Sequence, residues 1–261
     1  MWDERYAPSS ISFSSTTRQY EYLPVFKMVD TSNFTSFSNL LQQFTKLKEF
    51  DLGDLKFDGV TGESYQVIGG FFNNNTSLET IYNIDKINDL DNPDKYVGTK
   101  YDYYIIGSFM QGCSSLKTVT GIEKLQCKRA GGYTNFMKNC SSMEIINLAS
   151  LVSDKVSGTN IYSEMFMGCS KARQILLPKF NFANCTNSKS TSYNRIFSGC
   201  SSLELLDLRS SSFNSLPTTT DMFKDVPTDC LIICKDSAAK NYILSVRSDF
   251  TNIKTLAEYE G

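Results

Sequence analysis

No histidine occurs anywhere in the 261 residues. Its absence removes the side chain that most often serves as general base, the base of Ser-His and Cys-His nucleophile pairs, and the imidazole ligand of metal sites. The C-x-x-C spacing is missing too: Cys230 and Cys234 stand four apart around an apolar strand that puts both on one face. No glycine-rich phosphate loop is present. The 28 carboxylates leave room for a glycosidase-like pair, yet no motif singles out two of them. A non-enzyme without cofactor or metal is the expectation. Lys and Arg together number 26, a formal net charge of −2 that offers no basic field to nucleic acid. No apolar run reaches the roughly 18 residues of a membrane helix. The start, Met1 to Pro8, lacks the basic-then-apolar order of a secretory signal peptide, which predicts folding where the chain is made or a leader already removed.

What the chain does have is a repeat. Phe109-Met110-Gln111-Gly112-Cys113-Ser114-Ser115-Leu116 returns as Phe136-Met137-Lys138-Asn139-Cys140-Ser141-Ser142-Met143 and as Ile196-Phe197-Ser198-Gly199-Cys200-Ser201-Ser202-Leu203. Weaker copies lie at Leu40–Leu47, Phe71–Leu78, Met165–Ala172 and Met222–Asp229. The anchor position is filled in turn by Phe44, Asn75, Cys113, Cys140, Cys169, Cys200 and Val226, so the spacings are 31, 38, 27, 29, 31 and 26 residues. Periods of this size mark stacked structural units. Apolar side chains recur at fixed offsets: three after the anchor (Leu47, Leu78, Leu116, Met143, Ala172, Leu203), six after it (Phe50, Ile81, Val119, Ile146, Ile175, Leu206) and eight or nine after it (Leu52, Ile84, Ile122, Leu148, Leu177, Leu208). Seven before it stand Phe37, Ile68, Ile106, Tyr133, Tyr162, Tyr193 and Thr219. The L-x-x-L-x-L spacing is that of a leucine-rich repeat, its L-x-L part suited to a short strand facing a shared core. The expected fold is a leucine-rich-repeat solenoid of about seven irregular turns, mostly short strands and turns with short helical segments, in which each turn buries its apolar face on its neighbours.

The block F-M-x-G-C-S-S-L, with Asp30-Thr31-Ser32-Asn33-Phe34-Thr35-Ser36-Phe37-Ser38 upstream, resembles the BspA-like leucine-rich repeats of bacteria, and most of all the D-T-S-N-V-T-N-M repeats of mycoplasmal lipoproteins and firmicute surface proteins. The resemblance covers roughly residues 22 to 256, although the turns here are longer and less regular than the family's shortest repeat. It implies a non-enzymatic adhesin or binding scaffold. The C-terminal tail is also similar to the ends of leucine-rich-repeat proteins encoded by phages and prophages of gut firmicutes.

Three parts follow in order. Residues 1–21, rich in Ser, Thr and aromatics with a strand-like Ile11-Ser12-Phe13-Ser14, read as an N-terminal cap or an attachment segment. Residues 22–225 form the repeat array. Residues 226–261 form a capping unit of strand, helix and strand, with Asp236 or Ser237 placed to cap the helix. Four of the eight cysteines, Cys113, Cys140, Cys169 and Cys200, share one rung and read as small buried apolar residues, hence as reduced thiols suited to folding in a reducing cytosol. The N-x-S/T triplets at Asn33, Asn74, Asn75, Asn139 and Asn184 read as repeat chemistry and not as glycan sites.

Variation between turns collects in insertions. Asn181–Tyr193 is polar and reads as a surface loop. The longest, Asp85–Tyr104, holds Asp85, Asp89, Asp91 and Asp94 and then Tyr96, Tyr101, Tyr103 and Tyr104. Pro93 and the missing downstream Gly and Glu spoil a calcium loop, leaving a solvated acidic loop as the expectation. Tyrosines supply rigid contact area, and acids accept hydrogen bonds from sugar hydroxyls. Asp89, Asp91, Tyr101 and Tyr103 are therefore the candidate ligand-binding residues, with strand-edge packing as the alternative for the tyrosines. The leading functional expectation is a phage or prophage virion component at the tail, baseplate or head surface. It would fold in the host cytoplasm, contact other virion proteins and attach to a host-surface glycan or protein. The alternatives are a bacterial cell-surface adhesin and a structural brace in a larger assembly. No membrane insertion is expected in any of them.

Overall fold

The computed structural model describes residues 17–22, 30–156, 160–184, 191–214 and 221–261. Ile11–Ser14, Cys185 and Thr219 lie outside them, as do most of the N-terminal segment and part of the Asn181–Tyr193 insertion. The fold is built mostly from parallel sheet with few helices, and no sheet closes into a barrel among the described residues. The strands β1 (Glu49–Asp51), β2 (Thr80–Tyr82), β3 (Tyr104–Ile105), β4 (Thr118–Val119), β5 (Ala130–Gly132), β6 (Ile145–Asn147), β7 (Gln174–Leu176), β8 (Leu205–Leu208), β9 (Leu231–Cys234) and β10 (Ile253–Thr255) form three sheets, ordered β1-β2-β4, β6-β7-β8-β9-β10 and β3-β5. Residues six after each anchor face each other in register: Phe50 with Ile81, Ile81 with Val119, Ile146 with Ile175, Ile175 with Leu206. All are buried, as are Leu47, Leu78, Leu116, Met143, Ala172 and Leu203.

A second column of hydrogen bonds runs through the anchor segments. Alternate amides of one copy donate to carbonyls of the next: Leu41 to Phe71, Phe72 to Phe109, Met110 to Phe136, Met137 to Met165, Phe166 to Ile196, Phe197 to Met222. This alternation needs two left-handed residues per copy, one and five before the anchor. Every copy has them, from Asn39 and Gln43 to Asp221 and Asp225, with φ between 52° and 76°. Asn and Gly tolerate that region best, which explains the Gly or Asn before each ladder cysteine. Behind the backbone, phenylalanines stack face to face, Phe166 on Phe197 at 5.7 Å and Phe197 on Phe223 at 5.6 Å between ring centroids.

The anchor side chains join the copies. The thiols of Cys113, Cys140, Cys169 and Cys200 donate to the carbonyls of Phe72, Met110, Met137 and Phe166 at 3.2–3.3 Å, each reaching into the copy before its own. Each of these carbonyls also accepts from the backbone N–H of the preceding anchor, from Asn75 to Cys169, at 3.1–3.2 Å. Burial pushes all four thiols up, Cys113 and Cys169 to about 12. The seven described cysteines are free thiols.

One arginine reaches the backbone of the first copy and another that of the last. Arg18 donates to the carbonyl of Gln42 at 2.9 Å, while Arg247 donates to those of Phe223 and Val226 at 2.6 and 2.5 Å and lies over the Phe250 ring. The helix α1 (Ser237–Val246) starts on Asp236, whose carboxylate accepts from the N–H of Ala239, and Tyr242 stacks on Phe213 at 4.8 Å. The expected final strand is present as β10, but the chain then enters a short helix, α2 (Leu256–Glu260), held by a Thr255–Glu258 capping box that the apolar pattern did not announce.

Candidate binding surface

The longest insertion is not a solvated loop. It opens as a 3₁₀ segment over Ile84–Asp91, in which Ile84, Ile87 and Leu90 are buried. A period of three matches 3₁₀ geometry, where side chains three apart eclipse. A second 3₁₀ segment, Pro93–Tyr96, begins on Asn92 and buries Tyr96. The acids therefore diverge. Asp89 is exposed and pairs with Lys86 at 2.6 Å. Asp91 turns inward, where its carboxylate accepts from the N–H groups of Lys128 and Arg129 at 2.9 and 3.0 Å and from the hydroxyl of Tyr104 at 3.1 Å. Burial lifts its pKa, against the opposing pull of those donors. Asp91 fastens copy two to copy three.

The tyrosines divide in the same way. Tyr96, Tyr104, Tyr133, Tyr162 and Tyr193 are buried, and their hydroxyls donate to Leu90, Asp91, Val152, Asn181 and Phe182. Tyr101 and Tyr103 are half-buried and meet a third ring, Tyr65, from the preceding copy. Tyr65 lies 5.0 Å from Tyr101 edge-on and 6.1 Å from Tyr103 nearly parallel; Tyr101 and Tyr103 are 5.8 Å apart, edge-on. Tyr103 lies across Gly131 of β5, where a Cβ would come within 2.4 Å of the ring. Lys100 sits over the Tyr101 ring at 5.1 Å, and its hydrogen bond to that tyrosine raises its pKa. Beside the trio, Lys155 holds Asp102 at 2.5 Å, and this hydrogen bond lowers the Asp102 pKa.

Of the four candidate residues, the structure therefore brings Tyr101 and Tyr103 together, and joins neither Asp89 nor Asp91 to them by a hydrogen bond. Tyr65 was missed because its partners lie more than thirty residues away; the only signal in the sequence was an aromatic beside the Gly69-Gly70 turn.

A second surface feature recurs four residues after each of the first six anchors: Lys48, Glu79, Lys117, Glu144, Arg173, Glu204. The signs alternate without exception. Lys48 and Lys117 flank Glu79 at 3.8 and 3.1 Å, and Arg173 forks onto Glu204 at 2.8 and 2.9 Å. A shallow depression of about 400 Å³ lies among Glu144, Lys171, Arg173, Ser202 and Glu204. Among the described residues, no group of three His, Cys, Asp or Glu is placed to hold a metal ion, and no helix is long and apolar enough to cross a membrane.

No family model, characterised protein or solved structure matches this chain.

Proposed function

We propose that the chain is a leucine-rich-repeat solenoid of the BspA-like type, about seven turns with a cap at each end, that acts without catalysis by displaying a recognition surface. The observation that carries this reading is the anchor column, in which one side chain from each of copies two to six hydrogen-bonds to the backbone of the copy before it. A core defined by identical rungs leaves recognition to what differs between turns, and the differences lie outside it. The setting we infer is a phage or prophage virion surface engaged in host attachment. Support comes from the likeness of the C-terminal tail and from free thiols, which suit folding in a reducing compartment before assembly. Fluorescently labelled chain incubated with intact firmicute cells and with their purified walls tests this. Saturable binding displaced by unlabelled chain is expected. Absence of saturable binding to either would overturn the reading.

A further inference from the structure

We propose that Tyr65, Tyr101 and Tyr103 form a platform that binds a neutral saccharide, an assignment that rests on the reading of the chain as a displayed scaffold. Five buried tyrosines satisfy their hydroxyls inside the protein, whereas those of Tyr65 and Tyr103 make no hydrogen bond with any described residue. A buried phenol needs a partner, and an outward one has donor and acceptor capacity to give to a ligand. The rings are also held in place. Tyr103 rests on the bare backbone of Gly131, and Gly62 lets the chain at Thr99–Tyr101 close down, since a Cβ there would meet the Tyr101 carbonyl oxygen at 2.2 Å. Rings already fixed in position lose little freedom when a ligand arrives.

The geometry selects among ligands. Tyr65 and Tyr103 lie within 30° of parallel, with Tyr101 edge-on to both at 75°. The C–H face of a pyranose can lie on the near-parallel pair while its hydroxyls reach the phenols. Charge points the same way. Lys100 over Tyr101 is offset by Glu63, which acts on its ammonium, and Asp102 is already held by Lys155. Both carboxylates beside the platform thus face a lysine, and neither is left to call for a cationic ligand.

The test is a glycan array of neutral and anionic bacterial wall and capsular oligosaccharides probed with the labelled full chain. We expect saturable binding to neutral members, weakened about tenfold or more by Tyr65→Ser or Tyr103→Ser, the loss of a ring contact and a hydrogen bond together. Tyr259→Ser, which removes an exposed tyrosine elsewhere, should leave binding unchanged. Should a serine variant unfold, Tyr65→Phe/Tyr103→Phe keeps the packing and should still weaken binding several-fold through the lost hydroxyls. An array that stays empty, that lights only with anionic glycans, or that ignores the phenylalanine pair overturns the platform. Cell binding that survives alongside such an array leaves the scaffold reading standing; loss of cell binding by the unchanged chain removes the scaffold reading itself.

Discussion

The backbone N–H of Phe44 donates to the side-chain Oδ1 of Asn75, 31 residues further on, at 2.7 Å. Asn75 thus accepts with an amide oxygen from the copy before it, where Cys113, Cys140, Cys169 and Cys200 donate to theirs from sulfur. Its Nδ2, however, is buried without a partner. Asn75→Cys should therefore match or exceed the parent in urea unfolding, because it removes an unsatisfied donor and restores the rung chemistry. Asn75→Ala should lose about 1–3 kcal/mol by leaving the Phe44 amide unpaired. An Asn75→Cys chain less stable than Asn75→Ala would show that the anchor does not work through this bond.

The thiol column gives the protein an alkaline limit. An unfolded thiol ionises near 9.0, whereas Cys113 and Cys169 hold their protons to about 12 in the fold because burial disfavours the thiolate. Above pH 9 the unfolded chain therefore binds fewer protons than the folded one, so stability is intact below 9 and falls as pH rises towards 12. Circular dichroism across that range should show cooperative unfolding, and Cys169→Ser should shift its onset. Thiol reagent at pH 8 should leave the four ladder cysteines unmodified until denaturant is added. Rapid modification of all four in the native state would contradict this.

Gly168 combines φ of +76° with a Cβ position 2.2 Å from the Asn139 side-chain oxygen, whereas Gly98 has φ of +69° and open space around it. Gly98→Ala should cost about 1–2 kcal/mol for the left-handed backbone alone. Gly168→Ala should cost more, and Asn139→Gly should relieve the excess when combined with it. Equal costs at the two glycines would mean that the Asn139 contact is not tight.

Asp91→Ala should lower stability by about 1–3 kcal/mol, since it strands the amides of Lys128 and Arg129. Saccharide and cell binding should be unaffected. Weakened binding at unchanged melting temperature would restore Asp91 to the recognition surface.

The interior was legible because repetition names it: every anchor from Phe44 to Cys200 is fully buried, and each ladder residue three and six places on is buried too. The interruption between β4 and β6, where no ladder joins Val119 to Ile146, has no such trace: copies one and two also differ by one residue after their strands, yet Phe50 pairs with Ile81. The insertion was less legible. Whether an aspartate faces water or the amides of Lys128 and Arg129 depends on chain more than thirty residues away, which composition does not encode. The burial of Ile84, Ile87 and Leu90 was visible as a period of three, a spacing easily passed over when only strands and α-helices are sought.

The central claim, that the copies form one continuous stack, is tested most directly by distances between spin labels at equivalent positions. Glu49 carries one label, and Thr118, Gln174 or Leu231 the other, all being five residues after their anchors. The separation should lengthen steadily along this series by at least about 4.8 Å, the spacing of adjacent strands, for each copy crossed. A Glu49–Leu231 distance no longer than Glu49–Gln174 would mean that the chain folds back on itself, and the stacked-repeat account would be wrong.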